Sequence, residues 1–187
     1  MTKSPYLTGQ FLMAMPAIGD DRFDRTLIYM CAHTAERAMG IVINKLHDDL
    51  DFPELLAQLD IDVDDVSRDI TVHAGGPVEP GRGFVLHSAD YVQDSSLIVS
   101  ETVALTATVD ILKELATGQG PRNAMLALGY AGWSAGQLEN ELSNNAWLTA
   151  PGDDGILFNT DAEQKYPRTM AMLGVDLSML SSQAGHA

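Results

Sequence analysis

Gly132-Trp133-Ser134-Ala135-Gly136 has the G-x-S-x-G spacing with which a serine nucleophile is raised on a sharp turn between a strand and a helix. Upstream, His73-Ala74-Gly75-Gly76 has the composition of a glycine-rich oxyanion loop. A triad in the order serine, acid, histidine would need His186 as base and Asp153, Asp154, Asp161 or Asp176 as acid. The same serine has a structural use. Gln137 follows it by three residues, so the pair can form a capping box at a helix start, with Trp133 and Leu138 as hydrophobic staple. A serine accounted for as a cap needs no catalytic role, so a Ser134 hydrolase is the alternative reading.

Cys31 and His33 lie two apart in an apolar stretch, so a strand would place them on one face, as a thiolate–imidazole pair requires. A small buried thiol beside a histidine at a strand end accounts for the same letters. His33, His87 and Glu139 or Glu141 carry metal-ligand chemistry, but no H-x-x-x-H or C-x-x-C spacing binds them into a motif, and neither metal nor cofactor is expected. Asp60, Asp62 and Asp64 imitate the opening of a calcium loop. Asp65 and Thr71 stand where that loop needs glycine and glutamate, which rejects it.

A ligand cleft is the stronger expectation. Asn44, the Gly75 and Gly76 amides, Arg82, His87, Gly132 and a helix start carrying Gln137 and Glu139 could gather at strand ends around a small anion. Each also has a plain structural use: Asn44 can hold a turn, and Arg82 can pair with the abundant acids. Trp133 and Trp147 are expected in the core.

Partners are bounded by charge. Twenty-six acids against eleven scattered bases give −15, with no basic cluster to neutralise phosphates, so direct nucleic-acid binding is disfavoured. No apolar run is long enough to span a bilayer, and no secretory signal opens the chain. With a single cysteine, a cytoplasmic setting is expected.

The elements that must position these residues follow from periodicity. Strands are expected at 9–16, at 26–33 and 39–44 as an antiparallel hairpin, and at 69–74, 82–87, 96–99, 125–128 and 155–158, with 146–148 extended. A polar turn is expected at 19–25. Helical spacing marks 52–59, a face through Leu105, Val109, Leu112 and Ala116, a segment opening at Ser134, and a last helix from Asp161 through Tyr166, Met170 and Leu173, kinked at Pro167 and ended by Gly174. The sum is one α/β domain of the α+β kind over residues 1–187. Its sheet is mixed, largely antiparallel, open to strong curling, and flanked by helices.

Several of these pieces together resemble the YqgE/AlgH family. They are Phe11-Leu12-Met13-Ala14-Met15-Pro16, Cys31-Ala32-His33, Ala38-Met39-Gly40-Ile41-Val42-Ile43-Asn44-Lys45, Gly75-Gly76-Pro77-Val78 and Arg82-Gly83-Phe84-Val85-Leu86-His87. Leu128-Gly129-Tyr130-Ala131-Gly132-Trp133, Gly136-Gln137-Leu138-Glu139, Asn145-Ala146-Trp147-Leu148-Thr149-Ala150 and Gly185-His186-Ala187 complete the set. The resemblance implies a cytosolic protein of mixed sheet and outer helices, and brings no activity, cofactor or catalytic residue with it. It also suggests a regulatory link, which the acidic composition directs toward a protein or small-molecule partner. The function expected is a non-enzymatic binding or adaptor module, with a transcriptional regulator as a further alternative.

Overall fold

The computed structural model describes residues 6–15, 25–61 and 70–174. Among them, nine strands form one sheet: β1 (Phe11–Ala14), β2 (Leu27–His33), β3 (Arg37–Val42), β4 (Val72–Ala74), β5 (Val78–Ser88), β6 (Leu97–Ile98), β7 (Val103–Thr106), β8 (Ala124–Ser134) and β9 (Trp147–Ala150). The helices are α1 (Phe52–Gln58), α2 (Val109–Ala116), α3 (Gln137–Ser143), α4 (Asp154–Phe158) and α5 (Ala162–Met172). The strand order is β6-β7-β5-β8-β3-β2-β1-β9. β4 pairs parallel with β8, and the other pairings are antiparallel.

The sheet curls until its two wings meet on one core. Phe11, Met13 and Tyr29 from one wing pack in the same cluster as Val99, Val103 and Leu105 from the other, closed over by Ile156, Leu157, Tyr166 and Met170 of α4 and α5. Tyr166 fixes α5 to β1 by donating its hydroxyl to the Ala14 carbonyl at 2.7 Å. The outer face is divided. α1 and α2 cover β4, β5 and the first half of β8, while Leu138 of α3 packs with Trp133 and Trp147 over β1, β2, β3 and the second half of β8.

β8 is the spine of this arrangement, and Gly129 is its joint. Met125 and Ala127 face the inner core and Leu126 and Leu128 the outer one; beyond Gly129, Tyr130 packs inward and Ala131 and Trp133 outward. The alternation therefore shifts by one residue at Gly129, whose φ of +79° suits glycine. Here the Gly75–Gly76 backbone crosses β8. A Cβ on Gly129 would lie 2.3 Å from the Gly76 oxygen, and one on Gly76, at φ +151°, would lie 2.1 Å from the Tyr130 carbonyl carbon.

The 2–3 hairpin, the helix opening at Phe52 and the last helix fall where periodicity places them. Three expectations need correction. Val103–Thr106 is a strand and not the start of a helix: its β-branched residues pair with β5, and the helix begins after Thr108. Residues 154–158 form α4 and not a strand, because the Asp153 carboxylate accepts from the Ile156 amide at 3.0 Å and caps a helical turn. β8 runs on through Gly129 to Ser134, so the strand is longer and the turn later than the glycines suggest. Most of the polar turn at 19–25, Asp62, Asp64 and Asp65 of the acidic run, and Asp176, Gly185, His186 and Ala187 lie outside the described residues.

Candidate functional site

The motif residues around Ser134 assemble a scaffold. Ser134 is the exposed last residue of β8, opposite Arg37 of β3. The N-cap of α3 is Gly136, at φ +76°, and carries no side-chain cap bond. Half of the expected capping box is present: the Gln137 side chain reaches back to accept from the Ser134 amide at 3.0 Å, while the Ser134 hydroxyl donates to the same oxygen at 3.3 Å. The partner of that hydroxyl is thus an amide, not an imidazole.

Cys31 and His33 are separated by a β-bulge. The register with β3 shifts between Met30 and Ala32, so the period-2 argument for a shared face fails. Cys31 lies in the inner core with its thiol on the Tyr29 carbonyl, and burial pushes it up to about 12, far from a thiolate. His33 instead reaches α3. Its Nδ1 accepts from the Leu7 amide at 3.0 Å, which fixes the proton on Nε2, and that N–H donates to Glu139 at 2.5 Å. The His33 hydrogen bond holds the Glu139 carboxyl below its usual range.

Glu141 does more here than its sequence context announces. One of its oxygens accepts from both indoles, Trp133 at 3.0 Å and Trp147 at 2.8 Å, and the other accepts from Gln137 at 3.1 Å. The indoles meet edge to face with centroids 5.9 Å apart. Glu141→Ala leaves two buried N–H donors without their acceptor and is expected to lower stability by about 2–4 kcal/mol. Glu141→Gln keeps the oxygen and should lose less than half of that, with both variants read by urea unfolding and tryptophan fluorescence.

The remaining expected ligand residues do not gather there. His87 lies opposite Ala124 and His33 near Trp133, nine residues further along β8, a strand length of roughly 30 Å. The His87 Nδ1–H donates to the Ser88 carbonyl at 3.0 Å, and its Nε2 accepts from Thr106 at 2.7 Å, whose oxygen lies 2.6 Å from the Ser96 hydroxyl. Burial lowers its pKa and keeps the ring neutral. Arg82 is exposed, 3.5 Å from Glu79 and stacked 5.1 Å over Phe84. The Gly75 amide is taken by the Leu128 carbonyl at 2.7 Å, so Gly75 and Gly76 serve the chain crossing. Gly132 is an exposed strand residue beside the Tyr130 ring. Among the described residues no three His, Cys, Asp or Glu side chains could hold a metal.

A cleft lies elsewhere, between the end of β4 and the α4–α5 connection, and Asn44 is the expected residue that reaches it. Its volume is about 680 Å³, within the range of small-molecule sites. Leu46, Met125, Leu157 and Phe158 supply apolar walls; Thr71, His73, Asn159, Lys165 and the first turn of α5 supply polar ones. The Asn44 amide is consumed in structure, accepting from Leu27 N at 2.9 Å and donating to the Arg25 carbonyl at 2.8 Å.

Lys165 is the unusual group. It is 2% exposed, and Nζ donates to the Leu157 carbonyl at 3.0 Å and approaches the Met125 sulfur at 3.5 Å. Among the described residues no carboxylate pairs with it. Burial pushes the amine down to about 8. His73, also buried, donates Nδ1–H to the Leu126 carbonyl at 3.1 Å, and burial with the nearby Lys165 charge pushes it down to about 4. Sequence reading passed over Lys165 because it adjoins the Tyr166–Met170 stripe, where a lysine ordinarily snorkels to water. Its i,i+4 relation to Thr169, also buried, is the signal that places it inward.

A family model described as AlgH-like matches residues 11–178. The chain belongs to the AlgH-like family. A UPF0301 protein of Rhodospirillum rubrum is 52% identical over 97% of this chain and 95% of its own, and one of Mesorhizobium japonicum is 52% identical over 97% and 93%. The solution structure of the AlgH protein from Pseudomonas aeruginosa, 45% identical, matches with a TM-score of 0.82 over the whole of both chains. A crystal structure from Corynebacterium diphtheriae, 18% identical, shares the fold with a TM-score of 0.62 over 83% of this chain and 81% of that one. The curled sheet with flanking helices is thus the AlgH fold. Among the described residues of this AlgH-like chain, no helix is long and apolar enough to cross a membrane.

Proposed function

We propose that this AlgH-like protein is a cytoplasmic, non-enzymatic binding module whose cleft between β4 and α4–α5 takes a small anionic ligand, with any regulatory role running through that ligand or a protein partner. One observation carries the reading: a buried ammonium, Lys165, lines an open cleft and, among the described residues, no carboxylate is paired with it. An isolated buried charge is costly, and an anion entering the cleft supplies the missing counter-charge. Asp161 and Glu163 stand exposed at the rim, where water and salt screen them. The net charge of −15 favours a small ligand over nucleic acid.

The test is an amide-resolved NMR titration with glycolate, phosphate and citrate. Shifts confined to residues near His73, Asn159 and Lys165, and lost in Lys165→Met, are the expected result; shifts unchanged in that variant would overturn it. The pH dependence has a fixed sign. Binding needs the ammonium, so affinity is level below about pH 8 and weakens up to tenfold per unit above it.

A further inference from the structure

We propose that Lys165 is a carbonyl-reactive amine, and that the cleft takes a small aldehyde or 2-oxo acid and holds it as a reversible imine on Lys165 Nζ. The inference rests on the reading of the cleft as an anion site and names the chemistry of the ligand. Its basis is what surrounds the nitrogen. A lysine kept for structure is ordinarily clamped as an ammonium by a carboxylate, but here the partners are a carbonyl oxygen and a thioether, both neutral. Neither prevents loss of a proton. Met125, Leu157 and Phe158 make the floor apolar, which favours the free amine, the form that attacks carbonyl carbon. With burial holding the amine near 8, about a tenth is free at pH 7, against roughly one part in three thousand for an exposed lysine.

The step requires nothing the cleft lacks. The Nζ lone pair attacks the carbonyl carbon, the C–N bond forms, and the carbonyl oxygen takes up a proton as Nζ gives one up, through water in the open cleft. The carbinolamine then loses its hydroxyl as water with the second Nζ proton, leaving C=N. Nothing is oxidised or reduced, and water is the other product. The first turn of α5, through Ala162 and Glu163, lines the same cleft, so the amide end of an eleven-residue helix borders the space a 2-oxo acid would occupy, with the Asp161 and Glu163 carboxylates exposed at the rim. Acyl or phosphoryl transfer would need a leaving group and a set of oxyanion donors; imine formation needs the amine and a proton carrier, which water in the open cleft supplies.

The chain contains four lysines, Lys3, Lys45, Lys113 and Lys165, so three serve as internal controls. The full chain is incubated with glyoxylate, which is both aldehyde and acid, reduced with borohydride, and mapped by peptide mass spectrometry. Glycolate, of like size and charge but without a carbonyl, is titrated in parallel by NMR. Lys165 should be fixed at least tenfold more than any other lysine, and the modification should vanish from that peptide in Lys165→Met while Lys113 is unaffected. Modification of Lys165 no greater than that of Lys113 overturns the proposal. If glycolate still binds at the cleft in that case, the anion site stands and the imine falls. Fixation at Lys165 without glycolate binding upholds the imine and removes the anion site, and silence in both removes both.

Discussion

Gly76→Ala is expected to destabilise the protein by about 4 kcal/mol or more, a large share of the roughly 5–15 kcal/mol that holds a domain together. The added methyl would lie 2.1 Å from the Tyr130 carbonyl carbon, 2.3 Å from its oxygen and 2.5 Å from the Ala131 nitrogen, at a φ of +151°. All three are backbone atoms of β8, which is held by β5 on one edge and by β4 and β3 on the other. No flexible side chain can give way, so the crossing must come apart or the strand must shift. Gly81→Ala is the control: its methyl would meet nothing within 4 Å, and the change should stay within about 0.5 kcal/mol. Urea unfolding distinguishes the two, and a Gly76→Ala midpoint near that of the parent would refute the account of the crossing.

Lys165→Met is expected to act in the opposite direction, raising stability at pH 7 by about 1–2 kcal/mol, a few degrees in Tm for a chain of this size. The sign comes from linkage. The folded amine titrates near 8 and the unfolded one near 10.5, so between those values the unfolded chain binds the extra proton and stability rises with pH. Below 8 the burial penalty is fully present, on the order of 3 kcal/mol. Methionine removes it and fills the same space, at the loss of the bond to Leu157, about 1 kcal/mol. The rise in parent stability between pH 8 and 10.5 should disappear in the variant. His73 supplies a second reading: its depressed pKa, about 4, means that stability falls as pH drops from 6.5 toward 4, and removing the neighbouring Lys165 charge, which raises the folded pKa, should make that loss smaller and end it at a higher pH. A variant less stable than its parent would show the ammonium to be well compensated, and would weaken the cleft as an anion site.

Much of the fold was legible because it depends on local chemistry. The hairpin of β2 and β3 follows from two apolar runs around a short polar loop, and α1 from the helical spacing of Phe52, Leu55 and Leu56. What misled were residues with two uses. Glycines at 129 and 132 signal a turn in isolation, yet Gly129 lets β8 continue past a crossing chain that the sequence does not reveal. Leu105 fits the α2 face by period, but its pairing with Leu86 is a tertiary choice. The site was harder for the same reason. Ser134, Gln137 and Glu139 spell recognisable chemistry and form one scaffold with His33 and Glu141, whereas Lys165 spells nothing locally. Its environment comes from Met125 and His73, far away in sequence, and from Leu157 of the preceding helix, whose packing against α5 is not written locally.

The seating of β1 between β2 and β9 governs how the chain can be made. Phe11 lies opposite Ala150, so β1 waits for β9, the last of the described strands, before its second edge is covered. β3 waits likewise for the far half of β8. Synthesis therefore yields a hairpin with open edges and no finished sheet until β8 and β9 have been made, a state that invites mispairing with neighbouring nascent chains. Refolding from denaturant should run on the millisecond-to-second scale typical of non-local β pairing. A fragment truncated before residue 147 should aggregate in place of folding.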